Sequence, residues 1–313
     1  MNLLDIIKNN NVPKVLLRHI MMNFLDLTSI RTIILTVKQM NVLDNYNKDF
    51  LIKAANGFVW CCANNHLDVA QWLYLLNDID IHANNEEAFR LSCENGHINV
   101  AKWLQEIGEK SLQSQPALPG TRREIGGINI HARSVVGENA FGSSCVNGHL
   151  DVAQWLHSLG GIDVANRAIF EILCMKGNLA MAQWYHSLGK IDIHAYDDYA
   201  FHISCTKGQL DIAKWLYSLG GIDIYQYDNV VFAWACDGGQ LHIAQWLHSM
   251  GGINIHARNE LAFKWSCENG HLHMAQWLYS FGNIDIHAND DYAFIKSRKN
   301  GHQAVLQWLT SIC

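Results

Sequence analysis

A pair of aromatic residues recurs along the chain at a fixed distance, with a tryptophan fourteen residues after a phenylalanine. The phenylalanines are Phe58, Phe89, Phe141, Phe170, Phe201, Phe232, Phe263 and Phe294, and the tryptophans are Trp72, Trp103, Trp155, Trp184, Trp215, Trp246, Trp277 and Trp308. Successive phenylalanines are 31 residues apart, except for one interval of 52 and one of 29. A period of this length is typical of a chain built from stacked copies of one supersecondary unit.

Each copy predicts two short helices followed by an extended segment. In QLDIAKWLYSLG (209–220) the apolar residues recur at helical spacing. Glycines and then Ile-Asp-Ile follow, with Asn and Asp after them, which indicates an extended finger ending in a turn. One such unit cannot bury its own apolar face but stacked neighbours can, so the pattern predicts an all-α solenoid.

The repeated residues resemble ankyrin repeats. The resemblance rests on Gly148-His149-Leu150 with Val152, and on GGINIHA (251–257) where the family has Gly-x-Asp-Val-Asn-Ala. It implies an ankyrin-repeat solenoid of about eight units over residues 51–313, with helix-turn-helix units and short finger loops. The family's Thr-Pro-Leu-His is missing. The loop from Ala288 to Phe294 is shorter than is usual in the family, so the fingers are expected to be blunt. The 31-residue units with Trp and Cys also resemble ankyrin proteins of large DNA viruses of protists.

Cysteine occupies the position four residues after the phenylalanine in seven copies: Cys62, Cys93, Cys145, Cys174, Cys205, Cys236 and Cys267. Neighbouring repeats lie about 8–10 Å apart, beyond the roughly 7 Å that a disulfide spans, so these residues are predicted to be small buried side chains. Cys-x-x-x-His occurs in four copies, yet Asn178, Gln209 and Gln240 replace the histidine elsewhere. This position is therefore predicted to cap the second helix, and no metal and no cofactor is expected.

Catalytic motifs are not recognisable in the sequence. Five histidines, His82, His131, His194, His256 and His287, fall at one repeat position, which indicates a repeated structural role. The sequence shows no nucleophile elbow, phosphate loop or zincin motif. An enzyme would need a unique polar cluster, so a non-catalytic protein is predicted.

The tryptophan column is predicted to be core. On that basis Trp215→Ala is expected to cost about 3–5 kcal/mol, and Asp198→Ala almost nothing. Trp60, Trp234 and Trp265 recur in only some copies and are predicted either to pack between repeats or to belong to a binding face.

Residues that differ between copies cluster at the finger tips. In ankyrin proteins the fingers and first helices line a face that binds other proteins, so the resemblance implies a protein-binding role for these residues, and tyrosine suits interfaces. The candidates are Tyr196, Asp197, Asp198, Tyr199, Tyr225, Tyr227, Asp228, Asn229, Arg258 and Asn259. The alternative is that these are ordinary solvated turns.

Charge is unevenly distributed along the chain. Residues 1–50 carry six basic and four acidic side chains, and residues 51–313 carry 17 and 25. An acidic body predicts neither nucleic acid nor a membrane surface as partner. The start MNLLDIIKNN lacks a secretory signal pattern, so a cytoplasmic location is expected, which is the host cytoplasm if the protein is viral.

The stretch 11–40 belongs to no repeat and resembles an F-box. The resemblance rests on Val12-Pro13, Leu16-Leu17, Ile20 and Phe24-Leu25. It implies that Pro13, Leu16, Leu17, Ile20 and Leu25 bind the Skp-type adaptor of a cullin ubiquitin ligase, with the repeats as substrate receptor. The alternative is a helical N-terminal module, residues 1–50, that only caps the repeats of a scaffold or host-interaction protein.

One copy is interrupted. The 52-residue interval contains QEIGEKSLQSQPALPGTRREIGG, and its Ser, Gln, Pro and Gly content predicts an inserted loop near 105–127.

Overall fold

The computed structural model describes residues 48–74, 79–114, 127–135, 137 and 139–313. The helices of these segments come in eight pairs, which confirms the predicted all-α repeat fold. The first helices are α1 (Lys48–Ala63), α3 (Ala83–Glu94), α5 (Ala140–Val146), α7 (Arg167–Lys176), α9 (Ala195–Thr206), α11 (Gln226–Asp237), α13 (Ala257–Glu268) and α15 (Ala288–Lys299). The second helices are α2 (Leu67–Tyr74), α4 (Ile98–Ser114), α6 (Leu150–Ser158), α8 (Leu179–Ser187), α10 (Leu210–Ser218), α12 (Leu241–Ser249), α14 (Leu272–Tyr279) and α16 (Gln303–Ser311).

The chain divides into two compact units between Ile162 and Asp163. In the first unit α1 packs against α3, and α3 against α5. In the second unit α7 packs against α9, α9 against α11, α11 against α13, and α13 against α15. Every first helix also packs against the second helix of its own pair, which is how each unit buries the apolar stripes that a single pair would expose.

The phenylalanine is fully buried in the first seven repeats, whereas Phe294 of the last repeat is half-buried. Phe58, Phe89, Phe141, Phe170, Phe201, Phe232 and Phe263 are each at most 1% exposed. The tryptophans from Trp103 onward are only half-buried, which corrects the prediction that they form the core. Six of them contact the phenylalanine of the preceding pair, as Trp215 contacts Phe170, with ring centroids 6.3 Å apart. The six are Trp103, Trp155, Trp215, Trp246, Trp277 and Trp308. The tryptophan therefore packs between neighbouring repeats while part of its side chain stays exposed to solvent.

The interrupted copy differs from its prediction. Helix α4 continues to Ser114, so residues 105–114 of the expected loop are helical. Residues 115–126 lie outside the described residues. Three of the extra residues belong to the finger, since His131 and Phe141 are ten positions apart and His194 and Phe201 are seven. The longer finger is closed by backbone pairing of Arg133 with Asn139.

The 29-residue copy has a shortened finger. Asn166 is the N-cap of α7 there, and its side chain accepts a hydrogen bond from the backbone N–H of Ala168 at 3.1 Å. Tyr185 replaces the leucine found in the second helices of other copies and is fully buried. Its hydroxyl donates to the Asn166 carbonyl at 3.2 Å. The larger side chain thus lies against the shortened segment and satisfies one of its backbone groups.

Candidate functional site

The fingers end in an uncommon backbone conformation. In α3, α9, α13 and α15, three consecutive residues near the start have positive φ, at 84–86, 196–198, 258–260 and 289–291. This left-handed conformation costs about 1–2 kcal/mol per residue. Asn and Asp, which tolerate it best, occupy most of these twelve positions. A sequence of such residues persists only when surrounding contacts hold it.

A histidine–carboxylate pair supplies that contact. The Nδ1 atom of His194 lies 2.6 Å from Asp198 Oδ1. The corresponding pairs are His82 with Glu86 at 2.8 Å, His256 with Glu260 at 2.8 Å and His287 with Asp291 at 2.5 Å. Each pair closes the left-handed turn, which confirms a repeated structural role for four of the five histidines of the column, His82, His194, His256 and His287.

Two of these carboxylates also connect neighbouring fingers. Glu86 Oε1 also accepts from the backbone N–H of Asn129 at 3.1 Å. Glu260 Oε1 lies 3.5 Å from the backbone nitrogen of Asp285 in the next finger. Asp198 is likewise only 7% exposed. This corrects the expectation that Asp198 lies on the exposed face with the other finger residues.

Aromatic side chains are exposed at the finger tips of the second unit. Tyr196 is 73% exposed, Tyr225 47% and Tyr199 43%. The Arg167 guanidinium lies 3.5 Å from the centre of the Tyr196 ring, and the Tyr225 hydroxyl donates to the Gly251 carbonyl at 2.9 Å. These contacts restrain two of the rings while leaving much of their surface in solvent.

The remaining predicted finger residues lie in the same part of the second unit. Asp197, Arg258 and Asn259 are exposed, and Asn229 is half-buried. Asn259 donates from Nδ2 to Asn289 Oδ1 in the next finger. The side chains of Tyr227 and Asp228 lie outside the described ones.

A second group of side chains, on the first helices, was not predicted as a site. His202 and the half-buried Trp234 lie with ring centroids 4.7 Å apart. Burial lowers the pKa of His202, so its ring is neutral at neutral pH. The only sequence signal for this surface was the occurrence of Trp60, Trp234 and Trp265 in some copies alone. Trp60 is exposed and stacks on His66 at 5.2 Å.

A polar network continues this surface toward α15. Glu268 accepts from the Tyr292 hydroxyl at 2.6 Å and from Lys296 Nζ at 3.0 Å. Burial raises the pKa of Glu268, but the bonds from Tyr292 and Lys296 outweigh it and hold the pKa below its ordinary value. The carboxylate is therefore charged at neutral pH and joins α13 to α15.

The His, Asn or Gln after the glycine turn has a different role from the one predicted. Asn178 does cap its helix, accepting from the Met181 N–H at 3.2 Å. His97, Gln209 and His271 instead bond the Ala63, Met175 and Asp237 carbonyls, respectively, of the preceding repeat at 2.8–3.1 Å. The capping interpretation is wrong for these three, because the free carbonyls ending the neighbouring first helix lie within reach.

The cysteines of the repeat column are buried, as predicted. Burial raises the pKa of Cys145, Cys174 and Cys267 to about 12. Their thiols stay protonated at neutral pH and serve as packing groups. Among the described residues no three His, Cys, Asp or Glu side chains converge as metal ligands. No described helix is long and apolar enough to cross a membrane.

Comparison with known families agrees with this architecture. A model of ankyrin repeats in three copies matches residues 58–168, and a model of ankyrin repeats in many copies matches residues 170–216, together just over half of the chain. The chain belongs to the ankyrin-repeat proteins, and such repeats indicate a scaffold for protein–protein interaction. No curated protein matches its sequence. The viral repeat type stays a prediction, and the F-box-like residues Pro13, Leu16, Leu17, Ile20 and Leu25 lie outside the described residues.

Proposed function

We propose that the finger tips of residues 163–313 bind another protein. The observation that carries this proposal is the exposure of Tyr196, Tyr199 and Tyr225. Tyr196 and Tyr199 lie on a finger whose turn is held by the His194–Asp198 bond, and the Tyr225 hydroxyl bonds the Gly251 carbonyl. Aromatic rings supply large contact area at little cost in conformational entropy. A restrained ring loses even less freedom on binding, which favours affinity.

Polar residues around these rings would set specificity. Asp197, Arg258 and Asn259 are exposed beside them. Together they offer a negative and a positive charge, and both hydrogen-bond donors and acceptors. The proposed site comprises Tyr196, Asp197, Tyr199, Tyr225, Tyr227, Asp228, Asn229, Arg258 and Asn259. Asp198 supports it from within by fixing the turn.

Affinity capture with two finger substitutions tests this proposal. Tyr196→Asn introduces a residue that tolerates the left-handed backbone. Tyr225→His introduces the histidine that other fingers have at this position. The double variant and the wild-type full chain are compared by quantitative mass spectrometry of retained proteins. Lys214→Ala, at an exposed position of α10, is the matched control.

Loss of a specific protein from the double variant, with retention by the control, supports the site. Equal retention of every captured protein by all three chains contradicts it. Melting temperatures of the three chains exclude unfolding as the cause.

A second proposal concerns residues 1–50, and it rests on the F-box-like pattern from Val12-Pro13 to Leu25. We propose that this segment recruits the Skp-type adaptor of a cullin ubiquitin ligase. Co-purification of adaptor and cullin with the full chain, and not with Pro13→Ala/Leu16→Ala/Leu17→Ala, supports the role. Retention of neither protein by the full chain, or unchanged retention by the variant, leaves the segment as a cap of the repeats.

A further inference from the structure

One thiol of the chain differs from all the others. The sequence contains nine cysteines, all within the described residues, and eight are buried. Cys313 is the exposed one. Because burial keeps the repeat-column thiols protonated and inaccessible, chemistry at cysteine in the folded protein is confined to Cys313.

An oriented imidazole lies next to this thiol. His287 Nε2 is 3.8 Å from Cys313 Sγ, within hydrogen-bonding range for sulfur. The other ring nitrogen, Nδ1, lies 2.5 Å from Asp291 Oδ1. The ring also stacks on Phe294, with centroids 5.6 Å apart and planes 10° from parallel. Since Nδ1–H donates to the carboxylate, the lone pair of a neutral ring is on Nε2 and directed at the thiol.

The corresponding histidine of another finger has different surroundings. Nε2 of His194 lies against Gly221, where a Cβ atom added to the glycine would be 2.9 Å from it. That nitrogen is covered by backbone, although the pairing of Nδ1 with Asp198 is the same. The histidine–carboxylate pair is therefore a repeated structural feature, and at His287 it has acquired a nucleophile at its outer nitrogen.

We propose that Cys313, His287 and Asp291 form a reactive-thiol site that is modified by small-molecule disulfides. The arrangement has the three parts of an activated nucleophile, namely the nucleophile, its base and a group that orients the base. Asp291 acts only by positioning His287. Thiol–disulfide exchange needs only a nucleophile and a base, whereas acyl transfer also needs hydrogen-bond donors for the oxyanion, so we assign exchange to these three side chains.

The exchange balances without a further oxidant. His287 Nε2 takes the thiol proton, and the Cys313 sulfur attacks one sulfur of the disulfide R–S–S–R. The S–S bond of the reagent breaks and a Cys313–S–S–R bond forms. The released thiolate RS⁻ takes the proton from His287 and leaves as RSH. A second thiol reverses the modification by the same route.

Kinetics with 5,5′-dithiobis(2-nitrobenzoic acid) on the native full chain test the site. One equivalent is expected to react rapidly and to disappear in Cys313→Ser. His287→Gln is expected to react about tenfold more slowly at about pH 7. This rate factor is smaller than that of general bases in enzymes, because the three side chains are exposed to solvent. His256→Gln, which removes the same kind of pair from the neighbouring finger, is the matched control and is expected to react at the wild-type rate.

A second pH separates base catalysis from a change of access. At about pH 9, a thiol with the ordinary pKa of about 8.5 is mostly thiolate and needs no base, and the buried thiols still leave the fold intact, so wild type and His287→Gln are expected to react at similar rates. A tenfold difference that persists there would reduce His287 to a steric role and overturn the proposal. So would equal rates at about pH 7, or a buried cysteine reacting as fast as Cys313.

Oxidised glutathione then tests a biological class of disulfide. Peptide mapping is expected to find the mixed disulfide on Cys313 in wild type and in His256→Gln, and less of it in His287→Gln after equal times. Labelling spread over several cysteines would contradict the site.

Discussion

At the scale of single residues, the repeated phenylalanines and the repeated tryptophans differ in burial, although both recur with the same period in the sequence. Phe170 is 1% exposed, and Trp215 lies on it with one edge in solvent. A side chain surrounded on all sides leaves a cavity when it is removed, whereas water can occupy part of the space that a half-exposed one leaves. The two columns therefore differ in what their removal costs.

Phe170→Ala is expected to lower the free energy of unfolding by about 3–5 kcal/mol, and Trp215→Ala by about 2 kcal/mol, because the tryptophan is only half-buried. Urea unfolding of the full-length variants, followed by circular dichroism, measures both. An equal or larger loss of unfolding free energy for Trp215→Ala would contradict this and show that the tryptophan contributes as much as a core residue.

Asp198→Ala is expected to cost about 1–3 kcal/mol, since it leaves His194 without its buried acceptor. Asp198→Asn retains an acceptor oxygen and is expected to cost less. Asp197→Ala, at an exposed neighbouring position with the same sign of φ, imposes similar backbone strain and is the matched control. Thermal or urea unfolding checks the order, and equal effects of Asp198→Ala and Asp197→Ala would contradict the structural role of the buried carboxylate.

At the scale of the element, the finger is a contact between consecutive repeats. The His194 ring bonds Asp198 on its own finger and lies against Gly221 at the start of the next one. A glycine is needed there because of its positive φ, +82°, and because of the approach of the ring. The preceding Gly220 also has a positive φ, +88°, but no atom within 4 Å of an added Cβ.

These adjacent glycines separate backbone strain from close contact. Gly220→Ala is expected to cost about 1 kcal/mol, the strain of the left-handed region. Gly221→Ala is expected to cost about 1–2 kcal/mol more, since the new Cβ would lie 2.7 Å from His194 Cε1 and the ring must move away from Asp198. The urea midpoints of the two variants measure the difference. Equal midpoints would show that the His194 ring can move away from the new Cβ without a loss of stability.

At the scale of the whole molecule, the buried thiols couple stability to alkaline pH. Burial raises the pKa of Cys61 to about 11, and that of Cys145, Cys174 and Cys267 to about 12, from 9.0. Above about pH 9 the unfolded chain releases protons that the folded protein retains. Stability contributed by the neutral thiols is therefore lost as pH rises from about 9 toward 12.

The loss is expected to reach about 1.4 kcal/mol per pH unit for each such thiol. Cys267→Ala removes one of them, so the fall of the unfolding free energy between about pH 9 and pH 10, where the thiol of the unfolded chain is still titrating, is expected to be smaller by about 1 kcal/mol. Urea unfolding at several pH values measures the slope. An unchanged slope would mean that Cys267 does not remain protonated in the folded state.

The amino-acid sequence by itself determined the helix pairs, the buried phenylalanines and cysteines, and the exposure of Tyr196 and Tyr225. These features depend on the spacing of apolar residues within some fifteen positions and on where polar residues interrupt it. Their local character explains why the period alone was sufficient to predict them.

Only the tertiary structure decided how the repeats meet. It buried Asp198, left the tryptophans half-exposed, directed Gln209 to the Met175 carbonyl, and extended α4 into the predicted loop. Except for the extension of α4, each outcome involves contacts within one finger or between neighbouring repeats, such as Gln209 with Met175 and Trp215 with Phe170. Such contacts depend on the left-handed finger turn and on the distance between stacked helices, which no local spacing of residue types specifies.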